Sequence, residues 1–259
     1  MDLAQAVVLA LIQGISEFLP ISSSGHLILV PELLGWPDQG LGFDIAVHLG
    51  TLVAVIVYFR RDVLAMSIAL VQPQRAEFQL ALRIIVATVP LGAAGLLFSD
   101  QVEGVLRSPT VIAASTAGFG AVLWLADRLG RGERAETSLS WLQVAAIGFG
   151  QALALIPGTS RSGITMTVAL SMGLSRRAAG RFSFLLAIPA IAMAALWQLI
   201  RFLSDPESVP WLALALATAV AAAAAFVTIA LFLRWIERFG MAVFAIYRVL
   251  LGGVLVYLL

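Results

Sequence analysis

Long apolar stretches separated by short polar segments run along the whole chain. A helix needs about 20 apolar residues to cross a hydrocarbon core about 30 Å thick. Six stretches approach that length, at residues 41–59, 82–98, 110–126, 182–200, 211–233 and 241–259. The pattern therefore predicts an all-α integral membrane protein with six spanning helices.

Two further apolar regions are interrupted by polar residues. Each consists of an apolar stretch, a polar break and a short apolar piece, at residues 3–19, 20–25 and 26–34 and again at residues 141–156, 157–163 and 164–174. Irregular backbone at membrane depth is tolerated only where it is buried in protein or lines a wet cavity. We therefore predict two re-entrant helical hairpins, and hairpins that cross the membrane fully are the main alternative.

The two breaks also match each other in spacing. Gln13 precedes Gly25 by 12 residues, and Gln151 precedes Gly163 by the same 12. Each half then contains one hairpin and three spans, and because three is odd the second half must insert upside down, as in other inverted repeats. We predict one membrane domain over residues 1–259. It consists of two inverted-topology repeats, the first at about 1–128 and the second at about 139–259.

The placement of arginine predicts the orientation. All 16 basic residues are Arg, and 12 of them lie in or beside the loops 60–81, 127–140, 173–181 and 234–240. The opposite face has only Arg107 and Arg201, while Arg161 and Arg248 lie within the membrane. The positive-inside rule puts the arginine-rich face in the cytoplasm. The first hairpin then enters from outside and the second from inside, with both termini outside.

Composition excludes several classes of protein. Hydrophobic residues make up 61% of the chain and charged residues 12%, with a mean hydropathy of +0.99; soluble domains are about 45–50% apolar and about 25% charged. A soluble enzyme, a disordered protein and a nucleic-acid-binding module are therefore excluded. The net charge is +1 and there is no cysteine, which removes disulfides, thiolate metal sites and cysteine nucleophiles. No cleavable signal is evident at the N-terminus.

Ionisable residues at membrane depth are costly and usually functional. The chain has six candidates: Glu17, His26, Asp44, His48, Arg161 and Arg248. Gln13 and Glu17 share a helix face at i,i+4 spacing. Asp44 and His48 have the same spacing and either support the site from behind, line its entrance, or form a structural hydrogen-bonded pair. Arg248 is interpreted as structural.

Serines begin the short helix after each break. Ser22, Ser23 or Ser24 can cap the first, and Ser160 or Ser162 the second. A helix N-terminus suits a phosphate group, and an arginine between the serines of the second break adds a planar cationic clamp. A hydroxyl beside a carboxylate and an imidazole provides a nucleophile and acid–base groups. We therefore predict an anion-binding functional site where the two breaks meet; capped turns and a plain Glu17–Arg161 pair are the structural alternatives.

These motifs resemble a known family. The segment QGISEFLPISSSGH at 13–26 resembles the first signature of the undecaprenyl-pyrophosphate phosphatase (bacitracin-resistance) family, and PGTSRSG at 157–163 resembles its second. The closing FAIYR at 244–248 agrees. The resemblance implies a multi-pass enzyme of the bacterial inner membrane. The arginine placement predicts that its active site opens to the periplasmic or outer face. Such enzymes hydrolyse the C55 isoprenyl diphosphate to the monophosphate, which recycles the carrier lipid for peptidoglycan synthesis and confers bacitracin resistance.

The resemblance also assigns roles to residues. It implies that Ser23, His26 and Glu17 are catalytic, and leaves open whether Ser23 or His26 attacks. The phosphate ligands it implies are Arg161 and Ser160. From the residues of the two breaks we also expect phosphate binding by Ser24, Ser22, Ser162, Gly25 and Gly163. The family uses a divalent cation, Mg²⁺ or Ca²⁺, for which Glu17 with Gln13 is the expected ligand pair, the diphosphate supplying the rest. Gln13 is the amide variant of a Glu-or-Gln position, which argues against a mechanism that needs two carboxylates there.

Partners and alternatives follow from the same residues. The expected partners are a polyprenyl diphosphate lipid and the membrane, without nucleic acid; a homodimer stays open. PAP2-type lipid phosphatases need a second His after a Ser-Arg pair, and no His follows His48, so their mechanism is excluded. A polyprenyl-phosphate flippase or small-molecule transporter on the same inverted repeat is the alternative function. Transport needs anion binding but no nucleophile, so the set Glu17, Ser23, His26 and Arg161 favours the phosphatase.

Overall fold

The structure, a computed structural model, describes residues 2–37, 39–98, 101, 106, 108–130, 132–204 and 211–258. Regular structure in these ranges is helical, apart from one isolated bridge between Arg134 and Leu174. The α-helices are α1 (Leu3–Ser16), α2 (Ser23–Leu34), α3 (Leu41–Tyr58), α4 (Arg60–Val71), α5 (Glu77–Leu97), α6 (Pro109–Leu129), α7 (Trp141–Ala152), α8 (Arg161–Ser171), α9 (Arg176–Ser204), α10 (Trp211–Phe239) and α11 (Ala242–Leu258). Short 3₁₀ turns occupy Glu136–Ser138 and Leu153–Leu155.

Five helices are long and apolar enough to cross a membrane: α3, α5, α6, α9 over Arg176–Ile200, and α10. They correspond to five of the six predicted spans. The sixth predicted span, 241–259, forms α11, which has 17 residues and belongs with the shorter apolar helices. The predicted all-α membrane class therefore holds, with five helices that meet the length criterion.

The segment 60–71 was expected as part of a loop but forms α4. Phe59 leaves helical geometry, with φ −95° and ψ 22°, and separates this helix from α3. Arg60, Arg61 and Asp62 make the segment too polar to resemble a span, whereas Met66 and Ala69 are buried on one side. The difference arises because a short amphipathic helix gains its stability from packing, which hydropathy along the chain does not record.

Both predicted breaks are present. Helix α1 ends at Ser16, three residues before the expected end, and α2 begins at Ser23. Pro20 lacks an N–H and disfavours helical geometry in the residue before it, so the helix stops early. In the second break, α7 passes through the Leu153–Leu155 turn and α8 begins at Arg161.

The helices cross at unusually short distances where small residues meet. Helices α1 and α3 pack against α10, α7 packs against α5, and α11 packs against α6. A Cβ on Gly14 of α1 would lie 2.6 Å from the carbonyl oxygen of Ala221 on α10, and a Cβ on Gly50 of α3 would lie still closer to the Thr218 carbonyl oxygen. Small residues let membrane helices approach in this way, so these glycines set the position of the two helices that carry the acidic and imidazole groups of the site.

Ion pairs join the two halves at the loops where arginine is most frequent. Arg176 Nε lies 2.6 Å from Asp127, and Arg181 contacts both Asp62 and Glu136 at 2.6 Å. These pairs tie α9 to α4, to α6 and to the turn before α7. Of the arginines used to predict the orientation, Arg107 and Arg131 lie outside the described residues, as does the side chain of Arg201.

Candidate active site

The Glu17 carboxylate lies where the two breaks meet. Its Oε2 accepts hydrogen bonds from Gln13 Nε2 at 3.0 Å and from Ser23 Oγ at 2.7 Å. Its Oε1 accepts a hydrogen bond from Arg161 Nη2 at 3.3 Å. Glu17 is 8% exposed. A nearly buried carboxylate therefore joins a hydroxyl from the first break to a guanidinium from the second.

The local backbone brings these groups together. Gln13 and Glu17 face the same way because they are one helical turn apart at the end of α1. Ser23 returns to Glu17 because the chain reverses at Ser22, whose φ is 72°. Ser160 turns the chain in the same way before Arg161, with φ 69°. Non-glycine residues rarely have positive φ, and such conformations concentrate at functional sites.

Arg161 begins α8 and projects between the two breaks. Besides its bond to Glu17, its Nη1 donates to the Ser183 carbonyl at 3.1 Å. Ser160 is the N-cap, as expected, because its Oγ accepts from Gly163 N at 3.2 Å. Ser22 is the N-cap of α2, without a side-chain cap bond. Each break therefore presents the positive end of a short helix toward the same carboxylate.

Arg248 holds the two breaks against each other. It is completely buried, and its guanidinium donates to the Pro20 carbonyl at 3.3 Å, to Gly158 at 2.9 Å and to Thr159 at 2.8 Å. A fourth bond joins its Nε to the Thr116 carbonyl at 3.1 Å. No carboxylate pairs with this guanidinium within the described ranges. Arg248 therefore has a structural role, as predicted, and that role is to join the carbonyl groups of the two breaks.

A cavity of about 220 Å³ opens beside Glu17. Its polar lining comes from both breaks and from α3, and its apolar lining from α5, α9 and the turn after α7. The lining residues are Glu17, Ser22, Ser23, Ser24, His48, Leu91, Ala154, Ser160, Arg161, Ala190, Ile191 and Ala194. Five of the expected phosphate-site or catalytic groups, the four serines and Arg161, therefore reach the cavity together with Glu17, whereas its apolar wall was not anticipated.

His26 is placed differently from the other expected catalytic residues. Its Nδ1 lies 2.7 Å from the Ser22 carbonyl and its Nε2 2.5 Å from the Tyr247 hydroxyl, and its ring stacks on Tyr247. It is not among the residues that line the cavity. The structure therefore brings His26 to α11 rather than to Glu17.

Three other expected phosphate ligands are also set back from the cavity. Ser162 donates to the Leu19 carbonyl at 2.8 Å and so joins one break to the other. The Gly163 amide is used by the Ser160 cap, and a Cβ on Gly163 would lie 2.6 Å from the Arg248 guanidinium. Gly25 is buried in the first turn of α2. These residues shape the two breaks.

Asp44 and His48 lie on α3. His48 Nδ1 is 2.7 Å from the Asp44 carbonyl, and His48 Nε2 is 4.0 Å from Glu17 Oε2. His48 is therefore part of the cavity wall, whereas Asp44 does not line it. Ionisable character at membrane depth and i,i+4 spacing indicate this pair in the sequence, but neither indicates which residue reaches the site.

The side-chain oxygens of Glu17 and Gln13 are of the type that binds a hard divalent cation. Gln13 is fully buried, and its Oε1 has no hydrogen-bond partner among the described residues. Glu17 thus offers a carboxylate at the cavity, and Gln13, one helical turn before it, offers an amide oxygen without a partner among the described residues. The described part of the chain contains no cluster of three or more His, Asp or Glu residues for a metal, so a cation there needs further oxygens from a substrate phosphate.

The arrangement combines the requirements of phosphoryl transfer in one place. A serine hydroxyl hydrogen-bonded to a carboxylate is an activated nucleophile. An arginine and two short-helix N-termini stabilise the charge of a phosphate. The apolar wall is suited to the beginning of a lipid chain, so the geometry favours chemistry on a membrane-borne phosphate ester or anhydride.

Comparison with known proteins supports the same kind of chemistry. A family model described as "Bacitracin resistance protein BacA" matches residues 6–254. The chain is 50% identical over 266 residues to "Undecaprenyl-diphosphatase 2" of Stutzerimonas stutzeri (strain A1501), covering 100% of this chain and 98% of the relative. It is 49% identical over 263 residues to an "Undecaprenyl-diphosphatase" of Nitrosococcus oceani, covering 100% and 99%. A relative of the same description from Alcanivorax borkumensis is 50% identical over 262 residues, covering 99% of each.

Proposed function

The chain belongs to the bacitracin resistance protein BacA family, and from that membership we propose that it hydrolyses undecaprenyl diphosphate to undecaprenyl phosphate and orthophosphate. The observation that carries this proposal is its identity of about 50% to undecaprenyl-diphosphatases over their full length. The enzyme is then a hydrolase of a phosphoric anhydride. Its product is the carrier lipid of peptidoglycan synthesis, and its activity confers bacitracin resistance.

Ser23 is the proposed nucleophile. Its Oγ attacks the terminal phosphorus, the bond from that phosphorus to the bridging oxygen breaks, and undecaprenyl phosphate leaves with the electron pair. The hydroxyl proton passes to Glu17 Oε2, which lies 2.7 Å from Ser23 Oγ. General-base assistance of this kind contributes about 10²–10⁴-fold.

Water completes the reaction. It attacks the phosphorus of phosphoserine, the bond to Ser23 Oγ breaks, and Glu17 returns the proton to Ser23. Both protons of the water leave with orthophosphate, as dihydrogen phosphate. Hydrolysis is favoured over transport because transport needs anion binding alone, whereas the Ser23–Glu17 hydrogen bond supplies an activated hydroxyl.

Arg161 is the proposed phosphate clamp. Its guanidinium lies at the start of α8 beside the cavity, where it is 12% exposed. Charge-assisted bonds from Arg are among the strongest in proteins because the planar fork matches two phosphate oxygens. Ser160, Ser22 and Ser24, which also line the cavity, add hydroxyl donors.

Glu17 and the free oxygen of Gln13 are the proposed ligands of a divalent cation, Mg²⁺ or Ca²⁺. When bound, the cation neutralises charge on the diphosphate oxygens. The residues of the chain orient the substrate, and Gln13 is fixed by the hydrogen bond that its side-chain Nε2 donates to Glu17 Oε2.

We further propose six spans and two re-entrant hairpins arranged as inverted repeats. Two observations support this arrangement. Ser22 and Ser160 occupy equivalent positions in the repeat register and share the same backbone conformation. In the proposed repeat α1 corresponds to α7 and α10 corresponds to α5. Helix α1 packs on α10, and α7 likewise packs on α5, as expected if the two halves are equivalent.

The proposed location is the bacterial inner membrane, with the active site open to the periplasmic face. The arginine bias supports it: the loops that carry most of the arginines include Arg134, Arg176 and Arg181, and positive loops stay in the cytoplasm. The cavity lies at the break that follows α1, which enters from the other side in this orientation.

The function is tested by orthophosphate release. Purified protein in detergent should release one orthophosphate for each undecaprenyl diphosphate consumed, and undecaprenyl phosphate should appear in equal amount by mass spectrometry. EDTA should abolish release, and Mg²⁺ or Ca²⁺ should restore it. Protein that binds the lipid without releasing phosphate under any of these conditions would contradict the proposal.

A further inference from the structure

One of the two histidines of the chain faces the cavity directly. His48 lies on α3 and lines the cavity with Glu17, Ser23 and Arg161. Its side chain is 27% exposed, compared with 8% for Glu17. An imidazole in the apolar helix α3 that is open to a polar cavity is expected to have a function there.

The hydrogen bonds of His48 determine which of its nitrogens is available. Nδ1 is 2.7 Å from the Asp44 carbonyl. A carbonyl only accepts, so Nδ1 carries the hydrogen and Nε2 is left for another partner. Within the described ranges Nε2 makes no hydrogen bond, and its neighbour Glu17 Oε2 at 4.0 Å is beyond hydrogen-bonding distance.

The other histidine has no such free nitrogen. His26 uses Nδ1 for the Ser22 carbonyl and Nε2 for the Tyr247 hydroxyl. Its ring also stacks on Tyr247 and lies outside the cavity lining. His48 is therefore the imidazole that lines the cavity and has a ring nitrogen without a hydrogen bond among the described residues.

We propose that His48 is a further phosphate-binding residue, whose Nε2 forms a hydrogen bond with the terminal phosphate of the lipid diphosphate. The inference rests on the proposed function. Arg161 then holds the phosphate from α8 while His48 holds it from α3, on either side of Ser23.

Binding of a non-hydrolysable analogue tests this contact without requiring turnover. The probe is the methylene-bisphosphonate of a polyprenyl chain, and its Kd is measured by titration in detergent. His48→Ala should weaken binding about tenfold or more, whereas His48→Gln, whose amide offers a hydrogen-bonding group of similar reach, should stay within about threefold. Leu49→Ala, an exposed neighbour on the same helix, is the matched control and should bind as the wild type does.

Kinetics distinguish binding from a purely structural or proton-transfer role. His48→Ala should raise KM about tenfold and change kcat less than threefold. A Kd and KM equal to those of the wild type would overturn the proposal, and so would a fall in kcat at unchanged KM. Rescue by His48→Gln would not be expected if the residue only filled space.

A measurement on the wild-type protein covers the case in which His48→Ala does not fold. With ¹⁵N-labelled imidazoles, the bisphosphonate should shift the Nε2 resonance that is missing in His48→Gln. An unshifted resonance at saturating analogue would overturn the inference. If the wild type binds the analogue through His48 but releases no orthophosphate, then the proposed hydrolysis fails and the phosphate-binding residue stands.

Discussion

Ser22 and Ser160 have the same left-handed backbone conformation, with φ of 72° and 69°, although 138 residues separate them. They are the two non-glycine residues with positive φ among those that the structure describes. Such a conformation costs about 1–3 kcal/mol and persists only when surrounding contacts impose it. Those contacts include the hydroxyl pairs Ser22–Ser24 and Ser160–Ser162, at 3.3 and 3.2 Å. The reversal that directs each short helix toward Glu17 is therefore held by its own serines.

Two substitutions of Ser160 should distinguish the stability that the helix cap contributes from the cost of the strained backbone conformation. Ser160→Ala loses the bond to Gly163 N and keeps positive φ, so we expect a loss of about 1 kcal/mol or more. Ser160→Gly loses the same cap but tolerates the backbone, and should cost only a few tenths. Thermal unfolding of the ligand-free proteins in one detergent measures both. Equal destabilisation by the two variants would show that the positive φ is not strained.

Replacement of the proposed nucleophile should abolish turnover and preserve binding. Ser23→Ala removes the hydroxyl that donates to Glu17, so orthophosphate release should fall by at least about 10²-fold, with the Kd of the bisphosphonate little changed. Ser24→Ala, which alters a neighbouring hydroxyl of the cavity, should cost much less. Substantial turnover by a folded Ser23→Ala, with none by His26→Ala, would assign the attack to His26.

The activity should depend on the planar geometry of the Arg161 guanidinium as well as on its positive charge. Arg161→Ala removes a charge-assisted contact of about 1.5–3 kcal/mol, which corresponds to a loss of about ten- to hundredfold in kcat/KM. Arg161→Lys keeps the charge but not the planar fork, and should restore only part of the activity. Steady-state assays with undecaprenyl diphosphate measure both variants. Kinetics of Arg161→Ala equal to those of the wild type would exclude the clamp.

Loss of Arg248 should loosen both breaks together. Arg248→Lys offers fewer donors in a different geometry, and each buried carbonyl left unsatisfied costs about 1–3 kcal/mol. We expect a clearly lower unfolding temperature and a higher KM, although Arg248 does not line the cavity. Limited proteolysis within 17–22 and 156–160 should become faster in the variant. Wild-type stability in Arg248→Lys would mean that the four carbonyl contacts are dispensable.

The orientation is testable because the chain has no cysteine. Glu32 lies in the last turn of α2 and Glu133 follows α6, and both are exposed. In intact cells an impermeant maleimide should label Glu32→Cys, whereas Glu133→Cys should react only after permeabilisation. Labelling of Glu133→Cys alone in intact cells would invert the proposed topology.

The helices and the two breaks could be predicted from the sequence because they depend on local properties. Runs of about 20 apolar residues satisfy backbone groups within one helix, wherever that helix is placed. Pro20 and the serines that follow it interrupt a helix through their own backbone and hydroxyl chemistry. The spacing of Gln13 and Glu17 on one face likewise needs only the helical period.

The composition of the site was decided by the tertiary structure. Whether an imidazole faces the cavity depends on the rotation of α3 against α10, which close contact at Gly50 sets, and His26 is drawn away by Tyr247, 221 residues later in the chain. Arg248 likewise finds its carbonyl partners in both breaks, up to 228 residues away. Local periodicity places a residue on a helix face, but which face meets which neighbour is set by the packing of helices distant in sequence.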